Sequence, residues 1–334
     1  MRQYKIILLL ITLLCMTAIV PAFAAPSIKV QSDYYTNSSE FTRKSIGAGF
    51  GSSPSADLHF ETGYALSGFS QDGFEDISRH SLFIQGQKQA TEDISMSARL
   101  SGNFYDNGNE NLNGGLFIGY RPSTNFFTEF SFRHFDIIDT VLPFNNVIYS
   151  HVVTIGSVNR DIRSDDYKVY LLYDPDSKVS LAGEIVYGDY SDGNTKRSLM
   201  LETGYQLLDI PSLRTVYNYF YLDFDDPAPL ARSGDTVESA YWDPINFETH
   251  TLRLEFRRDY NEHLSLGAEA ALSYAPKSRG FSKAAFLSAT YRFTEQLSLL
   301  FDIRWFGQNR GIDRSGETDR YWATNYNIAF QFGF

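Results

Sequence analysis

Along most of this chain the apolar residues fall on every second position. The clearest run is the last one. Trp322, Thr324, Tyr326, Ile328, Phe330, Phe332 and Phe334 share one parity, while Tyr321, Ala323, Asn325, Asn327, Ala329, Gln331 and Gly333 share the other. The run before it behaves alike, with Leu297, Leu299, Phe301, Ile303 and Trp305 alternating with Ser298, Leu300, Asp302 and Arg304. Successive side chains of a strand point to opposite faces, so the pattern predicts strands with one apolar and one polar face. Sixteen such strands are placed, at 27–37, 40–51, 57–68, 78–89, 93–105, 110–121, 126–138, 164–174, 178–189, 195–207, 213–224, 246–259, 263–275, 281–293, 296–308 and 320–334. The first hairpin and the strand 213–224, where Tyr217, Tyr219 and Tyr221 leave the outward face open, are the least determined, so 14 or 18 strands also fit.

Strand length and the chemistry of the two faces decide the class. Strands of a soluble sandwich average five or six residues, whereas a tilted strand needs about ten to cross a bilayer. The polar faces are rich in Gly, Ser and Asn with charges of both signs, as in Ser95, Ser97, Arg99, Ser101 or Arg253, Glu255, Arg257. The apolar faces end in aromatics such as Tyr120, Tyr205, Tyr274, Tyr291 and Phe293. Apolar outside and polar inside is the pattern of an all-β, transmembrane antiparallel β-barrel, whose closure satisfies every backbone donor that lipid cannot. Short turns at 52–56, 90–92, 122–125, 174–178, 209–212, 260–262 and 294–295 mark the periplasmic rim, and longer connections at 69–77, 139–163, 225–245 and 309–319 the outer one.

The start of the chain reads differently. Arg2 and Lys5 precede the apolar stretch Ile6–Val20, and Ala22-Phe23-Ala24 supplies small residues for a signal peptidase. A cleaved signal over 1–24 and a barrel over 25–334 are expected, and no later run is apolar enough to cross as a helix. The cut removes Cys15, the single cysteine, and with it any thiol chemistry. The net charge of −11 argues against a nucleic-acid partner, which would need clustered Lys and Arg.

A barrel of this size has room for a water-filled lumen. Parity assigns Glu61, Glu129, Glu184, Glu202, Glu255, Glu269 and Asp302 to the inside, with Arg99, Arg121, Arg133, Lys168, Arg253, Arg257, Arg292 and Arg304. These nearly cancel. The excess acid lies in loops, most visibly Asp223, Asp225, Asp226, Asp235, Glu238 and Asp243, which either attracts cations or a cationic polymer or is only a solvated rim. The wall charges can pair across strands simply to satisfy one another, or form a ladder along which a polymer slides. The candidate contacts are Arg99, Phe117, Arg121, Tyr170, Arg253, Glu255, Arg257, Asp302 and Arg304, the aromatics as stacking surfaces for sugar rings. The segment 139–163 is too long for a turn and carries an apolar stretch, so it either folds inward to narrow the pore or stands outside as a loop with a local hairpin. No G-x-S-x-G, H-E-x-x-H or phosphate loop occurs, and Ser131 has the wrong parity to serve the outward His134; no enzyme, metal site or cofactor is expected.

Two resemblances add to this. The terminal Phe334 with Tyr326, Ile328, Phe330 and Phe332 resembles the C-terminal signal that the barrel-assembly machinery reads in Gram-negative outer-membrane proteins. Tyr190-Ser191-Asp192-Gly193-Asn194, Gly204-Tyr205-Gln206-Leu207, Tyr221-Leu222-Asp223-Phe224 and Tyr241-Trp242-Asp243-Pro244 are similar to segments of exopolysaccharide-export barrels, the poly-N-acetylglucosamine and cellulose export porins and the YaiO-type barrels. By residue chemistry alone the same segments read as turns. The resemblance implies an integral outer-membrane conduit in contact with lipid and lipopolysaccharide, passing an exopolysaccharide moved by a machine elsewhere. Those exporters usually carry a long periplasmic helical-repeat region before the barrel, and nothing in 25–56 reads as one, so either the scaffold is a separate protein or this barrel does something simpler. A general or solute-selective porin, a surface-lipoprotein translocator and a structural or adhesive surface barrel are the alternatives.

Overall fold

The computed structural model describes residues 24–141, 153–226, 245–277, 279–312 and 318–334. Sixteen strands form one closed antiparallel barrel in which each pairs with its neighbours in sequence and the first meets the last. They are β1 (Ala24–Asn37), β2 (Thr42–Ser55), β3 (Leu58–Ser70), β4 (Ile77–Gln89), β5 (Ile94–Tyr105), β6 (Glu110–Ser123), β7 (Phe126–Asp136), β8 (Arg163–Tyr173), β9 (Val179–Tyr190), β10 (Thr195–Leu208), β11 (Ser212–Phe224), β12 (Phe247–Asp259), β13 (Leu264–Ala275), β14 (Gly280–Arg292), β15 (Leu297–Ile312) and β16 (Thr318–Gly333). The seam is as continuous as the other junctions, with Ile28 opposite Phe332 and Tyr34 opposite Tyr326. Closure leaves no edge strand, so no row of backbone donors and acceptors is open to aggregation or to lipid.

The pleat sorts the side chains as the alternation predicts. Leu112, Ile185 and Leu252 are 63%, 61% and 60% exposed on the outer wall. An apolar band that continuous has no stable counterpart in water and fits a hydrocarbon surrounding. The outward face of β11 is settled as well. Val216 and Leu222 are fully buried inside, which sends Tyr217, Tyr219 and Tyr221 outward, where the Tyr217 hydroxyl meets His250 Nδ1 at 2.7 Å.

One rim carries Ala24, Gly333 and the short turns, and is called the turn rim here; the opposite one is the loop rim. Four of the seven tight turns share one local device. A side-chain oxygen at the turn's start accepts the backbone N–H groups two and three residues on: Thr91 from Asp93 and Ile94, Asp176 from Lys178 and Val179, Asn261 from His263 and Leu264, and Thr294 from Gln296 and Leu297. These short polar side chains close a turn without borrowing ladder hydrogen bonds. The two amides hold the Asp176 carboxyl below the usual carboxylate range.

Beyond shifts at strand ends, such as β2 running to Ser55 rather than 51, three features differ from the pattern-based expectation. The strand placed at 126–138 ends at Asp136, because the chain turns inward there into a 3₁₀ turn at Ile137–Val141. The connection placed at 309–319 is shorter, since β15 and β16 continue to an Ile312–Thr318 pair. Positive φ in the Asp192-Gly193-Asn194 turn falls on Gly193 alone, at +90°, while Asn194 is buried and donates to the Asp226 carbonyl. Residues 1–23, 142–152 and 227–244 lie outside the described residues, and with them the signal segment, the middle of 139–163 and Asp235, Glu238 and Asp243.

A candidate conduit with an occupied mouth

The lumen has two halves of different chemistry. At the loop rim, an apolar layer lies across the bore. Ile137 and Ile138 in the 3₁₀ turn, and Val153, Ile155, Val158 and Ile162 around a short helix α1 (Ile155–Asn159), are all nearly inaccessible. They form one cluster with Tyr35 on β1, Phe69 on β3, Tyr105 on β5, Tyr190 on β9, Phe224 on β11, Phe306 on β15 and Tyr321 on β16. Those wall residues come from around the whole circumference, so the described ends of the 137–162 connection sit inside the barrel. Burying each aliphatic side chain contributes about 1.5–3 kcal/mol relative to water.

A polar network anchors this insert. Asp136, where the outward parity of β7 breaks down, accepts hydrogen bonds from Asn103 Nδ2 (2.7 Å), Tyr105 Oη (2.8 Å) and Asn111 Nδ2 (2.7 Å). Asn111 also reaches Asp161 at 2.8 Å, and the Ile137 amide donates to the Ile162 carbonyl, so both ends of the insert are tied to each other. Arg79 on β4 donates to Asp139 at 2.7 Å and lies 4.0 Å from Asp136, with its guanidinium over the rings of Phe69 and Tyr105. Gln71 and Asn109 complete the seat by accepting from the Ile155 amide and donating to the Val158 carbonyl. None of these residues was singled out from the sequence. The inward parity of Arg79 was readable, but Asp136 sits on the outward parity and enters only because the chain leaves the sheet.

Toward the turn rim the bore is open. A cavity of about 430 Å³ is bordered by Arg214, Glu255, Arg257, Glu269, Phe286 and Ser288. The candidate contacts named from parity all face the lumen, eight of them in two groups. Arg253 pairs with Glu255 (2.6 Å) and Glu202 (3.2 Å), and Arg214 reaches Glu255 at 3.3 Å; nearby, Arg304 lies 3.6 Å from Asp302, which accepts from Asn327. Across the bore, Arg99 lies over Phe83 (4.5 Å) and Arg121 over Phe127 (5.0 Å), with Tyr170 beside Phe127 at 6.3 Å and Phe117 between them on β6. Arg257 lines the cavity and belongs to neither cluster.

The wall is shaped by glycine where charges must lie flat. A Cβ at Gly204 would overlap the Arg214 guanidinium, which rests on that glycine while bridging to Glu255. Gly204→Ala is expected to swing the guanidinium at the flexible end of Arg214 off Glu255 and lower barrel stability by less than about 1 kcal/mol. Thermal unfolding in detergent measures this, and a cycle with Arg214→Ala should show the two losses to be non-additive.

On the outer surface His134 Nδ1 sits 2.5 Å from Asp165, but the residue paired to His134 on β6 is Gly114, so no hydroxyl is offered to that pair there.

No family model and no curated protein matches the chain. Solved structures do. One described as a bacterial polysaccharide outer membrane secretin superposes with a TM-score of 0.66 at 10% identity, covering 92% of this chain and 98% of that one. CdiB from Acinetobacter baumannii gives 0.51 at 12% identity, covering 92% of this chain and 60% of CdiB. At such identities the likeness is one of fold, that of outer-membrane barrels.

Proposed function

We propose that this chain is an outer-membrane channel acting as a passive conduit for an exopolysaccharide, closed at rest by the inserted segments around Ile137–Ile138 and Val153–Ile162. The carrying observation is the combination of a polar, open half-lumen with a mouth filled by buried aliphatic side chains seated on a dedicated polar network. An inward loop also narrows a diffusion porin, but a layer of buried aliphatic side chains across the mouth suits a conduit for an intermittent polymer, which must stop leakage between passages. The superposition on a structure described as a polysaccharide secretin supports the same reading, and nothing in the wall supplies energy, so a machine elsewhere moves the polymer. On this reading the turn rim faces the periplasm, where a separate scaffold would dock, and the loop rim faces outward. Removing Phe334, which stacks edge-on against Phe332, is expected to lower outer-membrane yield without changing the fold of what inserts; heat-dependent gel mobility of membrane fractions measures both.

The test is efflux from liposomes of fluorescent linear oligosaccharides of increasing length. The intact protein should retain them, and a variant with the insert unseated should release long linear chains while retaining branched ones of the same mass. Release with a sharp mass cut-off regardless of shape would favour the porin reading.

A further inference from the structure

Resting on the conduit reading, we propose that the polymer this barrel passes is an anionic glycan, a polysaccharide carrying carboxylate or similar negative groups on its rings. Counted by residue, the lumen is nearly neutral; counted by what a solute meets, it is not. The inward acids are tucked into the wall and paired: Glu129 and Glu184 with Lys168 (3.0 and 3.7 Å), Glu202 and Glu255 with Arg253, and Asp166 with Lys196 (2.7 Å). Their side chains are 6–25% exposed. Three guanidinium groups stand into the bore, with Asp259 the exposed acid of inward parity at the end of β12. Arg99, Arg121 and Arg257 are exposed, and no carboxylate among the described residues lies within ion-pair distance of them.

Two of these arginines are presented in a way that suits a sugar chain rather than a free ion. Arg99 and Arg121 lie against Phe83 and Phe127, which fixes each guanidinium plane while its N–H edge stays free to grip a carboxylate through two parallel hydrogen bonds. Arg99 is level with Gly115 on β6, so Arg121 lies six residues further toward the turn rim, about 20 Å along the wall. Phe117 falls between them, and Tyr170 stands beside Phe127. The rings press on bare backbone: a Cβ at Gly119 would meet Phe127 at 2.9 Å, and one at Gly115 would meet Phe117 at 3.1 Å. The result is a strip of alternating cation and ring, with faces for pyranose stacking and forks for the charges between.

Two lumen acids, Glu61 and Glu269, have no ion pair among the described residues, but both are half-buried and neither lies on the strands of this strip. The acids Asp57, Glu92 and Asp176 sit in solvated turns at the turn rim; Asp93 is nearer, its backbone carbonyl accepting from the Arg121 amide at 2.8 Å, but its carboxylate is exposed and makes no ion pair with Arg121.

The test is calorimetric titration of the full-length protein in detergent with oligogalacturonate and with a cello-oligosaccharide of equal length, both reaching the lumen from its open half. The charged glycan should bind at least about tenfold more tightly, the difference should shrink as KCl rises, and Arg99→Gln with Arg121→Gln should abolish it. Gel mobility confirms that the variant is folded. Equal binding of the two glycans, binding of neither, or a preference that survives the double substitution overturns the anionic assignment. Each of these leaves the conduit standing, because passage of linear glycans through the unseated barrel is measured separately.

Discussion

Replacing Ile155 and Val158 with aspartate is expected to turn a barrel that conducts almost nothing into one that carries a steady ion current. Ile155 is fully buried and Val158 nearly so, both in the cluster that spans the loop-rim mouth. Two carboxylates there would have to lose their water without gaining a partner, at a cost of several kcal/mol each. The insert has a cheaper course, which is to leave the bore. The wall does not depend on it, since all sixteen strands close through their own ladders. Planar-bilayer recordings measure the outcome, with Ile155→Val, which keeps the apolar contact, as the closed control. A large steady current from the unaltered protein would show that the apolar layer does not seal the mouth.

Arg79→Ala is expected to give the second-largest effect, loosening the insert without placing a charge in the apolar layer. Arg79 is the cation beside both Asp136 and Asp139, and its removal leaves two buried carboxylates facing one another's field. Breaking a buried pair from one side typically costs about 3–5 kcal/mol, whereas replacing both partners by apolar groups of similar volume is close to neutral. Arg79→Ala should therefore produce flickering openings in bilayers and faster protease cleavage within 137–162. Arg79→Met combined with Asp139→Leu should restore much of the closure. If the double replacement opens the barrel as far as the single one, the network positions the insert by its specific hydrogen bonds rather than by charge compensation.

How much of this was legible in advance differs between wall and mouth. Alternation placed all sixteen strands, most to within two or three residues, because a strand that separates lipid from lumen repeats the same decision at every second position. Arg99, Phe117, Arg121, Tyr170, Arg253, Glu255, Arg257, Asp302 and Arg304 were assigned to the lumen by that rule, and the structure places them there. Parity could not say which charges pair. Pairing depends on register between strands far apart in sequence, as when Arg253 meets Glu202 across β11.

The sequence by itself determined the barrel's class, a count near sixteen strands, the apolar exterior of all but the strand at 213–224, and most of the side chains on the inner wall. The period-two pattern is a local property that membrane and water enforce on every strand independently. Only the tertiary structure decided that Ile137–Ile138 and Val153–Ile162 enter the bore, that Arg79, Asn103, Tyr105 and Asn111 converge on Asp136, and that the paired acids recede while Arg99, Arg121 and Arg257 stand exposed. Each of those is a meeting of residues from different strands. It is set by barrel closure and by where the chain departs from the sheet, as at Asp136, where the parity rule ceases to apply.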